Sequence, residues 1–111
     1  MKTDRLCFAL DLKDDPTLIQ QYIEHHKKVW PEIIVSIKDS GIVDMEIYQV
    51  ANRLFMIMEV NANFSMKAKG QRDKHNIKVQ EWEKLVDTYQ QTLPDTPNGE
   101  KWVLMNRIFK L

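Results

Sequence analysis

Asp44-Met45-Glu46-Ile47-Tyr48-Gln49-Val50-Ala51-Asn52-Arg53-Leu54-Phe55-Met56-Ile57-Met58-Glu59-Val60 is the stretch from which the fold is read. Its first part alternates, with Met45, Ile47 and Gln49 on one side and Glu46, Tyr48 and Val50 on the other. That is the period of a strand. Ala51-Asn52 leaves room only for a tight turn, so the strand from Arg53 to Val60 must return antiparallel. Both parities of this second strand are apolar, as expected of a central strand covered on both faces.

Upstream, Leu6 to Leu12 alternates as well, and predicts a strand with Cys7 as a small core residue. Asp14-Asp15-Pro16 then starts a helix, with Asp15 as N-cap and Pro16 in the first helical position. It should run towards Lys28 on a stripe of Leu18, Ile19, Tyr22, Ile23, His26 and Val29. Pro31 lacks an amide hydrogen and breaks the helix near Trp30. A second piece, Pro31 to Ser40, turns Ile33, Ile34 and Ile37 inward and stops at Gly41. Downstream of the hairpin, residues 61 to 77 read as a short helix and a loop. Val79, Trp82, Leu85, Val86 and Tyr89 repeat at helical spacing ahead of Pro94. Residues 95 to 99 form a loop, and Trp102 to Leu111 reads as the last strand.

The order is strand, broken helix, strand, strand, helix, strand. It predicts a single α+β domain over residues 1 to 111, a ferredoxin-like split βαβ with a four-stranded antiparallel sheet and helices on one face. The other face needs cover, and a second copy of the chain is the simplest one. A homodimer with a barrel-like α+β core is the expectation.

Sixteen basic and sixteen acidic residues cancel. No nucleic-acid partner is expected, because such a protein normally carries a basic face. No apolar run is long enough for a membrane span. The N-terminal segment does not read as a signal peptide, and one cysteine allows no intrachain disulfide. Both point to the cytoplasm.

The chemistry concentrates in Tyr22-Ile23-Glu24-His25-His26-Lys27-Lys28-Val29-Trp30-Pro31-Glu32. Helical geometry turns His26 inward, one turn after Tyr22, and leaves His25 about 100° away towards water. An inward imidazole is either a satisfied core group or a proton-transfer group in a pocket. Adjacent histidines cannot grip one ion from a regular helix, and His75 stands alone, so no metal site is expected. The charged run Lys67 to Lys74 reads as a solvated face or a mobile loop. Trp82 and Tyr89 read as core, and Trp30 as partly exposed beside a cavity.

On Tyr22, His26 and Trp30-Pro31-Glu32, the chain resembles the L-rhamnose mutarotase family. Gly41, Ile47-Tyr48, Asn52-Arg53-Leu54-Phe55, Trp82 and Ile108-Phe109 extend the likeness along almost the whole chain. The resemblance implies a dimeric, cytoplasmic, cofactor-free enzyme that interconverts α and β anomers of a 6-deoxy-hexose, L-rhamnose or L-fucose. It implies His26 as proton donor and Tyr22 as a sugar-binding residue. Met45 stands where the family has a strand tyrosine, and Trp82-Glu83 where it has paired tryptophans, so the pocket is altered. Trp30, Met45, Trp82, Glu83 and Glu46 complete the expected substrate-binding set. Glu46 and Glu83 are the candidates for a second acid or base, although strand parity sets Glu46 opposite Met45. A non-catalytic sugar-binding protein and a cofactor-free oxygenase are the other functions this scaffold could carry.

Overall fold

The computed structural model describes residues 2–111. β1 (Asp4–Leu12) leads into α1 (Pro16–His26) and α2 (Pro31–Asp39). The hairpin β2 (Ile42–Val50) and β3 (Arg53–Val60) follows. Next come α3 (Met66–Lys74), α4 (Ile77–Asp87) and two short strands, β4 (Gln90–Gln91) and β5 (Val103–Leu104). The sheet runs β2-β3-β1-β4 and is antiparallel throughout, with β5 also paired to β1. This is the expected α+β, split βαβ arrangement.

Local chemistry explains the helix boundaries. The Asp15 carboxylate accepts from the amides of Thr17 and Leu18, and Pro16 opens α1. That satisfies two amides that no helical carbonyl can reach. α1 stops at His26, earlier than the stripe to Val29 suggests, because Pro31 forces an extended backbone at Trp30 (φ −58°, ψ 138°). α2 then ends one residue before Ser40, whose hydroxyl bonds the Ile37 carbonyl. Gly41 takes φ +100°, a left-handed conformation that only glycine adopts cheaply.

The register sets the faces. Leu6, Phe8 and Leu10 pair with Met58, Met56 and Leu54, so these residues share the helix side of the sheet. Cys7, Ala9 and Asp11 lie opposite Ile57, Phe55 and Arg53 on the other side. Two apolar cores result. The first joins Leu12, Tyr22, Ile33, Leu54, Val79, Trp82, Val86 and Tyr89. The second joins Phe8, Ile42, Met56, Met58 and Val60. Ile37 and Trp102 pack against both.

Several expectations are corrected. β2 begins at Ile42, and a register irregularity between Ile42 and Asp44 absorbs Val43. Ile34 is exposed; only Ile33 of α2 is fully buried. The charged run Lys67 to Lys74 is the solvated face expected of it, carried on the short helix α3 and tied to α2 by Arg72 donating to the Asp39 carbonyl. Cys7 sits half-buried on the sheet face away from the helices, outside both cores. Most consequentially, the last strand does not run from Trp102 to Leu111. Only Val103–Leu104 pairs with β1, and β4 shares the same edge. Ile108, Phe109 and Leu111 lie beyond this pairing and stand in solvent.

Candidate active site

α1 and α4 bring four of the expected residues together. Tyr22 projects from α1 into the first core and is 3% exposed. The His26 ring lies 4.3 Å from it, one helical turn on. Trp82 of α4 meets His26 edge-on at 5.4 Å, and Trp30, at the break between α1 and α2, meets Trp82 at 5.2 Å. The result is an imidazole between two aromatic rings, with Trp30 packed behind Trp82. Lys78 lies over the outer ring, that of Trp30.

His26 Nδ1 is 2.8 Å from the Tyr22 carbonyl. A carbonyl only accepts, so Nδ1 carries the proton and Nε2 presents a lone pair in the neutral ring. No protein group among the described residues hydrogen bonds Nε2, and it is not sealed from solvent. Burial lowers the pKa of His26. The carbonyl bond opposes that shift, and the neighbouring His25 adds to it. The ring therefore rests neutral at neutral pH, able to take up a proton before giving one.

His25 does not simply face water. It is half-buried, and its Nε2 lies 3.1 Å from the Tyr89 hydroxyl. Tyr89 in turn meets the edge of Tyr22 at 6.3 Å. The phenol of Tyr22 is kept protonated by burial, which raises its pKa, and the nearby Gln90 side chain opposes that shift. Neither Tyr89 nor Gln90 was marked as a site group by helical periodicity. Tyr89 reads as the last apolar residue of α4, and nothing in the sequence announces a strand as short as β4.

The remaining expected residues do not join this cluster. Met45 pairs with Met58 and packs against the second core. Glu46 pairs with Ile57, so it lies on the sheet face turned away from the helices, where it accepts from the Tyr48 hydroxyl at 2.8 Å. That position removes it as a partner base for His26 within one chain. Glu83 follows Trp82 on α4, and its carboxylate accepts from Gln80.

Two surface clefts flank the cluster without reaching it. One, of about 720 Å³, runs along α1 past Gln20, Glu24 and His25 to Tyr89. The other, of about 190 Å³, lies between Lys38, Asn61 and Arg72. Neither is lined by His26.

Comparison with known proteins identifies the arrangement. The family model described as L-rhamnose mutarotase matches residues 5–111. The chain belongs to the L-rhamnose mutarotase family. It is 42% identical to an L-fucose mutarotase of Xanthomonas campestris pv. campestris, over all of this chain and 90% of that one. It is 26% identical to an L-rhamnose mutarotase of Leptothrix cholodnii, over 78% of this chain and 79% of that one. The crystal structure of an L-rhamnose mutarotase from Formosa agariphila shares the fold, with a TM-score of 0.71 at 24% identity over 97% and 98% of the two chains. These three relatives are named as mutarotases, which are carbohydrate isomerases.

Proposed function

We propose that this mutarotase-family chain interconverts the α and β anomers of L-fucose, with His26 as the proton-transfer group. The observation that carries the sugar assignment is the 42% identity with an L-fucose mutarotase along the whole chain. Two L-rhamnose mutarotases it resembles are 33% identical over 40% of this chain and 26% identical over 78% of it.

The chemistry follows from the tautomer. The anomeric hydroxyl oxygen and the ring oxygen are both bonded to C1, so one imidazole can serve both. Neutral Nε2 takes the proton of the anomeric hydroxyl. The C1–ring-oxygen bond breaks as the carbonyl forms, and the imidazolium returns its proton to the ring oxygen. Rotation about C1–C2 and reversal of these steps give the other anomer. No proton is gained or lost, and general acid–base help of this kind contributes about 10²–10⁴-fold. Trp82 and Trp30 offer apolar faces for the C–H side of the sugar. Tyr22 offers its hydroxyl.

The enzyme works as a cytoplasmic homodimer in this reading. The sheet face without helices carries exposed Tyr48 and Val50 beside Phe55 and Ile57, and the chain end carries exposed Ile108 and Phe109. An apolar surface of this kind is what a second copy covers. A free thiol at Cys7 suits a reducing compartment.

Saturation-transfer NMR tests the assignment. With L-fucose, catalytic amounts of protein should speed exchange between the anomeric proton signals well above buffer alone. Exchange of L-rhamnose only would overturn the sugar. A second reading, a sugar-holding protein without turnover, is favoured by one observation: neither surface cleft borders His26. It predicts broadened sugar signals without exchange.

A further inference from the structure

The chain end leaves the sheet abruptly. β5 pairs with β1 at Val103 and Leu104, and the Met105 amide donates to the Cys7 carbonyl at 2.8 Å. Residues 106–111 belong to no helix or strand, and Ile108 and Phe109 are 96% and 75% exposed there. β1 itself runs on to Asp4, and among the described residues no strand occupies that part of its edge. Continuing the β5 register would set Asn106 across from Leu6, Arg107 across from Arg5 and Ile108 across from Asp4. Each of these pairings is poor. Leu6 packs against the second core, so an amide would be directed at apolar surface. Arg5 already holds Glu59 at 2.9 Å, and a second guanidinium opposite it makes a like-charge pair. Ile108 would gain only a carboxylate.

The far edge of the sheet has the complementary character. β2 is the outermost strand there, and among the described residues no strand pairs with its outer side. Such an edge is a template for another extended segment. Asp44 and Glu46 stand exposed on β2, on the same side of the sheet as exposed Tyr48 and Val50. With Arg107 set opposite Glu46, alternation fixes the rest. Phe109 and Leu111 fall on the side of Tyr48 and Val50, which is the apolar sheet face, and Ile108 falls on the side of Met45 and Ile47. We propose that residues 106–111 of each copy add a strand to the β2 edge of a second copy, with Arg107 facing Glu46. Main-chain hydrogen bonds supply the affinity in this mode, and the charge pair sets the register. Each copy has one tail and one such edge, so a reciprocal exchange closes as a two-fold dimer. The proposal rests on the homodimer reading above and deepens it, by naming the segments that join the two copies.

Sedimentation equilibrium on the full-length protein reads the test, with far-UV circular dichroism as the check on folding. Arg107 and Glu46 are both exposed within one chain, so neither substitution disturbs a core. R107E and E46R should each raise the dimer dissociation constant about tenfold or more, because each brings like charges together twice per dimer. The R107E/E46R double variant should recover most of that loss. Single variants with the wild-type constant, or a double variant no tighter than the singles, would overturn the proposal. Cysteines give a second reading. E46C/R107C in a C7A background, after oxidation, should run as a covalent two-chain product on a non-reducing gel. A disulfide closed within one chain, or none at all, overturns the proposal as well. That variant carries the test where a charge variant does not fold. A wild type of two-chain mass, unaltered by the charge variants and not joined by the cysteines, sinks this proposal alone. A wild type of single-chain mass sinks the homodimer reading, and this proposal with it.

Discussion

His26 and His25 are chain neighbours with different surroundings. His26 has Nδ1 committed to the Tyr22 carbonyl and Nε2 unclaimed, whereas His25 has its Nε2 beside the Tyr89 hydroxyl. His26→Ala should therefore reduce anomer exchange by about 10²-fold or more, and His25→Ala should leave most of it. Equal losses in the same NMR assay would break the assignment. Burial also ties His26 to pH. Its folded pKa lies below the usual imidazole value of about 6.5, so the unfolded chain binds the proton more readily than the folded one. Its contribution to stability is complete above that unfolded value and is lost as pH falls through the lower, folded one. Urea midpoints measured from pH 7.5 down to 5 should fall, and His26→Gln should flatten that part of the curve. Exchange should decline over the same range, as the resting ring loses its lone pair.

The break between α1 and α2 places the aromatic wall. A continuous helix would carry Trp30 along the α1 axis; Pro31 instead turns it back against Trp82. The next joint, from α2 into β2, depends on one glycine. A methyl group at position 41 would stand 2.7 Å from Asn61 Oδ1 and 3.3 Å from the backbone of Phe64, on a backbone already at φ +100°. Gly41→Ala should cost at least about 1–2 kcal/mol, the penalty of a left-handed alanine alone. Chemical denaturation measures it directly, and an unchanged midpoint would show that the joint is more tolerant than its geometry implies. The faces of β2 were readable in advance from alternation, and Glu46 lies opposite Met45 as parity requires. β4 and β5 were not readable, since two residues carry no period.

One chain leaves an apolar sheet face and a chain end in water. Ile57 lies on that face, in the strand between β1 and β2, and a lysine there would leave a single chain folded. Sedimentation equilibrium should give twice the 13.2 kDa chain mass for the wild type and the single-chain mass for Ile57→Lys, with matching far-UV circular dichroism. Two monomeric proteins would refute the homodimer.

Periodicity, proline and a short turn were enough to define the hairpin, the broken first helix and the α+β order, because each of these is a local property of consecutive residues. The same local spacing put Tyr22 and His26 on one face of α1. Distance along the chain hid the rest. The meeting of His26 with Trp82 depends on how α4 crosses α1, and the bond between Tyr89 and His25 spans 64 residues. Such contacts are set by packing and register between separate elements, which no window of neighbouring residues encodes.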